Sequence, residues 1–131
     1  MINEVLLFAI LLMLEAGGEP WRGKVAVADC VVTRQRRSEK SFTAVMLARK
    51  QFSCFNNMRK ARKLIKEVEA GKHKNDQAWV ACLTLARLAH QPQYRVKTHC
   101  THYFNPRLCS PSWAKGMTLV AKVGNHDFYE E

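Results

Sequence analysis

The sequence predicts an α+β domain, helices first and a short β region last. Three observations carry that reading. An unbroken apolar run, Val5–Leu14, opens the chain. Two later segments, 58–70 and 76–89, place apolar residues at the spacing of a helix that buries one face. Beyond Pro92 the texture turns to short pieces rich in aromatic and β-branched residues.

The first helix is expected over Ile2–Ala16, stopped by the breaker pair Gly17-Gly18. Its apolar run is about half of the roughly 20 residues that cross a bilayer. A signal peptide needs a basic residue before such a run and a small-residue cleavage site after it; here Glu4 precedes and Glu15 follows. The run reads as a buried core helix, with no stable membrane span and no leader, so synthesis in the cytoplasm is expected. Pro20 suits the first turn of a second helix that continues through Val25, Val27 and Val31 to about Arg37. Ser41 is placed to cap a short helix, Phe42–Ala48, and Gln51–Asn57 reads as a loop. Met58–Ala70 carries Ala61, Leu64, Ile65 and Val68 on one face and ends at Gly71. Asp76–Ala89 repeats the pattern with Ala78, Val80, Ala81, Leu83, Leu85 and Leu88. Tyr94–Phe104, Met117–Val123 and Phe128-Tyr129 then suggest a small sheet or ribbon, closed by Pro106, Pro111 and Gly124.

A chain of 131 residues fits one domain, 1–131, and leaves no room for a second folded module. Hydrophobic residues at 47% and charged residues at 24% exclude global disorder. Lys and Arg number 21 against 11 Asp and Glu, a net charge of +10 that favours a polyanionic partner. The excess is local: Arg34–Lys74 holds 13 basic residues and three acidic ones, so one stretch carries the whole net charge. A solvated helix face explains such a stretch, and so does electrostatic docking onto nucleic acid, lipopolysaccharide or teichoic acid. Five scattered cysteines do not make the paired framework of a secreted disulfide scaffold. His99, Cys100, His102 and Cys109 are all metal-ligand types, but their spacing does not match a zinc site, so neither metal nor cofactor is expected. A monomer is expected.

Glu15 ends the apolar helix, four residues before Glu19, with two glycines between them. A carboxyl group held against apolar walls has its ionised form disfavoured. That is the requirement for a general acid in glycoside cleavage. Flanking glycines would let a bulky polymer approach it closely. A pair of polar residues that merely end a helix explains the same pattern.

The sequence Glu15-Ala16-Gly17-Gly18-Glu19-Pro20, followed by Gly23 and Ala26-Val27-Ala28, resembles the opening signature of the cell-wall hydrolases that include spore-cortex-lytic enzymes, the SleB-like family. The pattern continues with Gln51-Phe52-Ser53 and Thr101-His102-Tyr103-Phe104-Asn105-Pro106, and it closes with Gly124-Asn125-His126-Asp127-Phe128-Tyr129. Four separated blocks in the right order span nearly the entire chain. Thr33-Arg34 stands where the family shows Asn-Arg, and Cys54-Phe55-Asn56 is atypical after its block.

The resemblance implies a small lysozyme-like domain that cleaves the glycan strands of peptidoglycan between N-acetylmuramic acid and N-acetylglucosamine. It also implies lytic transglycosylase chemistry, with Glu15 as the single acid/base. Hydrolysis by a muramidase is the other outcome, with Glu19 or Asp127 as the second carboxylate. Tyr103, Trp113, Phe128 and Tyr129 are candidates to stack on sugar rings, and Gln51, Asn105 and His126 to hydrogen-bond them. Ser53 follows the family's loop but belongs to no Gly-x-Ser-x-Gly elbow. A phage endolysin for host lysis fits these features, its basic stretch binding an anionic envelope. A nucleic-acid-binding module or an inactive wall-binding protein are the competing readings.

Overall fold

The computed structural model describes residues 3–48 and 58–131. Asn3 caps the first helix, α1 (Glu4–Ala16), its side chain accepting from the Leu6 N–H at 2.7 Å. Leu7 through Leu12 are all buried, which makes α1 apolar on every side and places it in the centre of the domain. Around it pack α2 (Trp21–Ser38), α3 (Phe42–Leu47), α4 (Met58–Glu69) and α5 (Gln77–Ala89). The expected core helix is therefore correct, and among the described residues no helix is long and apolar enough to cross a membrane. Glu4 staples its first turn to two neighbours: one carboxylate oxygen lies 2.8 Å from His90 Nε2, the other accepts the Thr43 N–H and hydroxyl. Burial acts to raise the Glu4 pKa, but the His90 and Thr43 bonds outweigh it and hold the carboxyl below its usual range.

The helix ends follow the local chemistry of the sequence. α2 ends at Glu39, whose left-handed φ of 59° breaks the helix. Ser41 caps α3 by accepting from the Ala44 N–H at 3.0 Å, and Asp76 caps α5 by accepting from the Ala78 N–H at 2.9 Å. Three short antiparallel strands, β1 (His102–Phe104), β2 (Thr118–Val123) and β3 (His126–Glu130), form one sheet in the order β1-β3-β2. The pairs Tyr103–Phe128 and Phe104–Asp127 fix the register of the first two neighbours, and an irregularity between Leu119 and Ala121 breaks that of the second.

The expected extended piece from Tyr94 to Phe104 forms a strand only at its last three residues. The cause is Asp29, fully buried in α2. Its carboxylate accepts the Tyr94 hydroxyl at 2.6 Å and the backbone N–H groups of Lys97 and Thr98 at 3.1 and 2.9 Å. These donors are tied to a helix and are not available to a neighbouring strand; burial, then the bond to Asp29, pushes the Tyr94 phenol's pKa up. Asp29→Ala would strand three donors and is expected to cost about 3–5 kcal/mol. Chemical denaturation reads this directly, and an unchanged midpoint would contradict the anchor.

Thr33 is buried in α2, and among the described residues its hydroxyl has no hydrogen-bond partner. Thr33→Val keeps the shape and removes the unsatisfied polar atom, so a gain of about 1 kcal/mol is expected; thermal unfolding at a lower temperature than wild type would refute it.

Among the described residues, the basic stretch does not form one surface. Arg36 donates to the carbonyls of Pro92 and Tyr94, and Arg37 pairs with Glu130, so both serve the fold. The cations of α4 point to solvent.

Candidate active site

The corner between α1 and α2 forms one wall of a groove of about 590 Å³. Glu15 stands there in the last turn of α1, half-buried, beside Met13, Leu14 and Ala16. The opposite wall is Tyr103, Phe104 and Asn105, followed by the loop that carries Leu108, Cys109 and Pro111 to Trp113; Asn125 and His126 complete the lining.

Glu19 holds the two sides together. It is buried, and its carboxylate accepts the Asn125 backbone N–H at 2.9 Å and the Asn125 side-chain amide at 3.4 Å. His126 Nδ1 lies 3.0 Å from the same carboxylate, an ion-pair distance without the alignment of a hydrogen bond. The approach requires Gly124, whose φ of 58° is left-handed and where a Cβ would sit 2.8 Å from a Glu19 oxygen. Gly23 gives similar clearance on the other side, its missing Cβ lying 3.0 Å from the Glu19 Cβ. The clamp thus joins the α1–α2 corner to the β2–β3 turn and delivers His126 to the groove.

Lys24 fixes the same corner from beneath. It is buried, and its ammonium donates to the carbonyls of Gly17 (3.2 Å) and Glu19, both in the turn between α1 and α2. Sequence reasoning missed Lys24. The available signal was a lone lysine set in the apolar run of α2, Lys24-Val25-Ala26-Val27-Ala28.

The candidate binding residues divide. Tyr103, Asn105, Trp113 and His126 line the groove with Glu15 and Glu19. Tyr103 meets His126 edge-on at 5.3 Å between ring centroids. Asn105 builds its own loop: its side chain accepts the Arg107 N–H at 2.9 Å and its carbonyl the Leu108 N–H at 3.0 Å. Phe128 is fully buried behind Tyr103, so it supports the wall and cannot stack on a sugar. Tyr129 turns to the other face of β3, where it stacks on Phe104 at 5.5 Å under the edge of Trp113. Asp127 shares that alternation and meets Lys122 at 3.0 Å instead of lining the groove. Gln51 and Ser53 lie outside the described residues. Leu108, 81% exposed, and Met13 were missed because no local pattern brings a loop tip and a helix end together.

The His99–Cys109 cluster disperses in three dimensions. Cys100 is buried and its thiol meets the Ala26 and Thr98 carbonyls, whereas Cys109 is exposed and meets the Asn105 carbonyl. His102 packs on Trp113, and burial, then the Arg34 guanidinium, lower its pKa. Among the described residues, no three His, Cys, Asp or Glu side chains gather as a metal site would require.

A profile of the cell wall hydrolases matches residues 18–129. The chain belongs to the cell wall hydrolase family. This membership makes it an enzyme of peptidoglycan cleavage. Two solved structures are similar to this cell wall hydrolase. The catalytic domain of the germination-specific lytic transglycosylase SleB from Bacillus anthracis is 21% identical, with a TM-score of 0.65 over 99% of this chain and 96% of that one. The catalytic domain of the Bacillus cereus SleB protein is 23% identical, with a TM-score of 0.64 over 98% of this chain and 90% of that one. They establish the shared fold, and the expected α+β class is correct. No match was found among curated proteins. The family match begins at residue 18, just past Glu15, so the case for that residue rests on the groove.

Proposed function

We propose that this cell wall hydrolase breaks the bond between N-acetylmuramic acid and N-acetylglucosamine by the lytic transglycosylase route, with Glu15 as its one acid/base. The observation that carries the reading is how the neighbouring carboxylates are engaged. Both oxygens of Glu19 are held by Asn125 and His126, and Asp127 faces Lys122 outside the groove. A hydrolytic pair needs a second carboxylate across the scissile bond. Neither neighbour is placed to supply one, which favours chemistry with a single carboxylic acid.

In that chemistry the Glu15 carboxyl gives its proton to the glycosidic oxygen, and the bond to the muramic acid C1 breaks. The departing sugar leaves with a hydroxyl group. The Glu15 carboxylate then accepts the proton of the muramic acid's own C6 hydroxyl as its oxygen bonds to C1. An anhydro ring closes, no water is consumed, and the carboxyl is restored. Tyr103, Trp113 and the exposed Leu108 offer apolar surface to sugar rings, while the clamp keeps His126 beside them. The test is digestion in water enriched in heavy oxygen. Fragments free of the label support the route, whereas one labelled oxygen per cut would mean hydrolysis and overturn it.

The biological setting we propose is host lysis by a phage endolysin kept in the cytoplasm until the membrane opens. The chain's strong positive charge supports it, by favouring adhesion to an anionic envelope. Cells expressing the protein should lyse only after the membrane is permeabilised; lysis without permeabilisation, or none with it, would refute this setting.

A further inference from the structure

We propose that the solvent face of α4 is a docking surface for a phosphodiester-linked polyol polymer attached to the wall, a site separate from the cleavage groove. The proposal rests on the reading of this chain as a wall-cleaving enzyme. Ala61 and Leu64 are buried on one side of α4, and Lys60, Arg62, Lys63 and Lys66 are exposed on the other. Among the described residues, none of these four has a carboxylate within ion-pair distance, whereas Arg37 is paired within the fold. Glu67 stands one helical turn after Lys63 and attracts it electrostatically, but its carboxylate makes its close contact with His73, at 3.1 Å, and not with Lys63. Lys72 and Lys74 extend the exposed positive surface past Gly71.

A face that served only solubility would not need this crowding. Lys60 with Lys63, Arg62 with Lys66 and Lys63 with Lys66 are like-charged neighbours three or four residues apart, and each such pair weakens the helix that carries it. The arrangement is favourable when a polyanion lies along it, because cations about 5–6 Å apart, spread over about 9 Å of helix from Lys60 to Lys66, match a linear chain of phosphates. Arginine adds a two-pronged contact to phosphate oxygens. Two other polyanions fit less well. The apolar side of α4 is engaged with the core, which leaves no face to insert into a bilayer. No aromatic residue interrupts the cations to stack on nucleic-acid bases.

The experiment is co-sedimentation of the full chain with intact walls bearing the phosphodiester polymer, beside walls stripped of it by acid. Anionic lipid vesicles and single-stranded DNA are tested in parallel. The variant is Lys60→Gln/Arg62→Gln/Lys63→Gln/Lys66→Gln. Wild type should bind intact walls at least about tenfold more tightly than stripped walls, with log K falling against log salt at a slope of about −3 for four phosphate contacts. The variant should lose that preference, unfold no earlier than wild type, and release fragments from stripped walls at the wild-type rate. Equal binding to intact and stripped walls, an unaffected variant, or tighter binding to vesicles or DNA would each overturn the proposal. A protein that binds intact walls through α4 yet releases no glycan would sink the catalytic reading and leave the docking surface standing.

Discussion

Glu15→Gln is expected to lower kcat on peptidoglycan by about 10²- to 10⁴-fold, with KM close to wild type. The amide keeps the size of the side chain at the end of α1, so the groove and its binding surfaces stay in place. It can neither give a proton to the glycosidic oxygen nor take one from the attacking hydroxyl. Both halves of the proposed reaction fail together. The position is half-buried and outside the central core, so thermal stability should be nearly unchanged. Loss of activity together with loss of fold would mean that Glu15 is structural, and retained activity would remove it from the chemistry.

The second large effect is expected at Gly124. A β-carbon there meets two obstacles, the left-handed backbone and the Glu19 carboxylate 2.8 Å away. Gly124→Ala is expected to destabilise the domain by about 2–4 kcal/mol, combining backbone strain with weakened bonds from Asn125 to Glu19. Activity should fall by about 10²-fold, because a shift of even about 1 Å in His126 and the groove wall misplaces the substrate. Glu19 itself separates clamp from catalyst. Glu19→Gln keeps a carbonyl acceptor for the Asn125 N–H and should retain most activity, whereas Glu19→Ala should lose both stability and rate. If Glu19→Gln were as inactive as Glu15→Gln while equally stable, Glu19 would be the second carboxylate of a hydrolytic pair.

The helical half of the fold was legible because its signals are local. The uniform apolar run gave α1, one-sided spacing gave α4 and α5, and Ser41 and Asp76 mark helix starts by their own side-chain chemistry. The segment from Tyr94 to Cys100 misled because its aromatic and β-branched composition suits a strand, while the decision lay with Asp29, more than 60 residues earlier. A single buried carboxylate outweighed local preference there.

The site was legible in part for the same reason. Glu15, Glu19, Tyr103 and His126 belong to motifs, and the fold brings all four to one groove. The roles of their neighbours depend on strand alternation and on which side of the sheet is covered. Three successive residues illustrate this: His126 lines the groove, Asp127 faces Lys122, and His126's neighbour on the same face, Phe128, is core. Lys24 shows the complementary failure, a cation hidden in an apolar helix whose partners are carbonyl groups that no sequence motif displays.

The most direct measurement is mass spectrometry of the soluble fragments released from bare peptidoglycan by the wild-type protein, beside Glu15→Gln. Wild type should release fragments ending in anhydromuramic acid, and the variant should release almost none. Reducing ends from wild type, or anhydro ends that persist at wild-type yield in the variant, would contradict a one-carboxylate transglycosylase acting through Glu15.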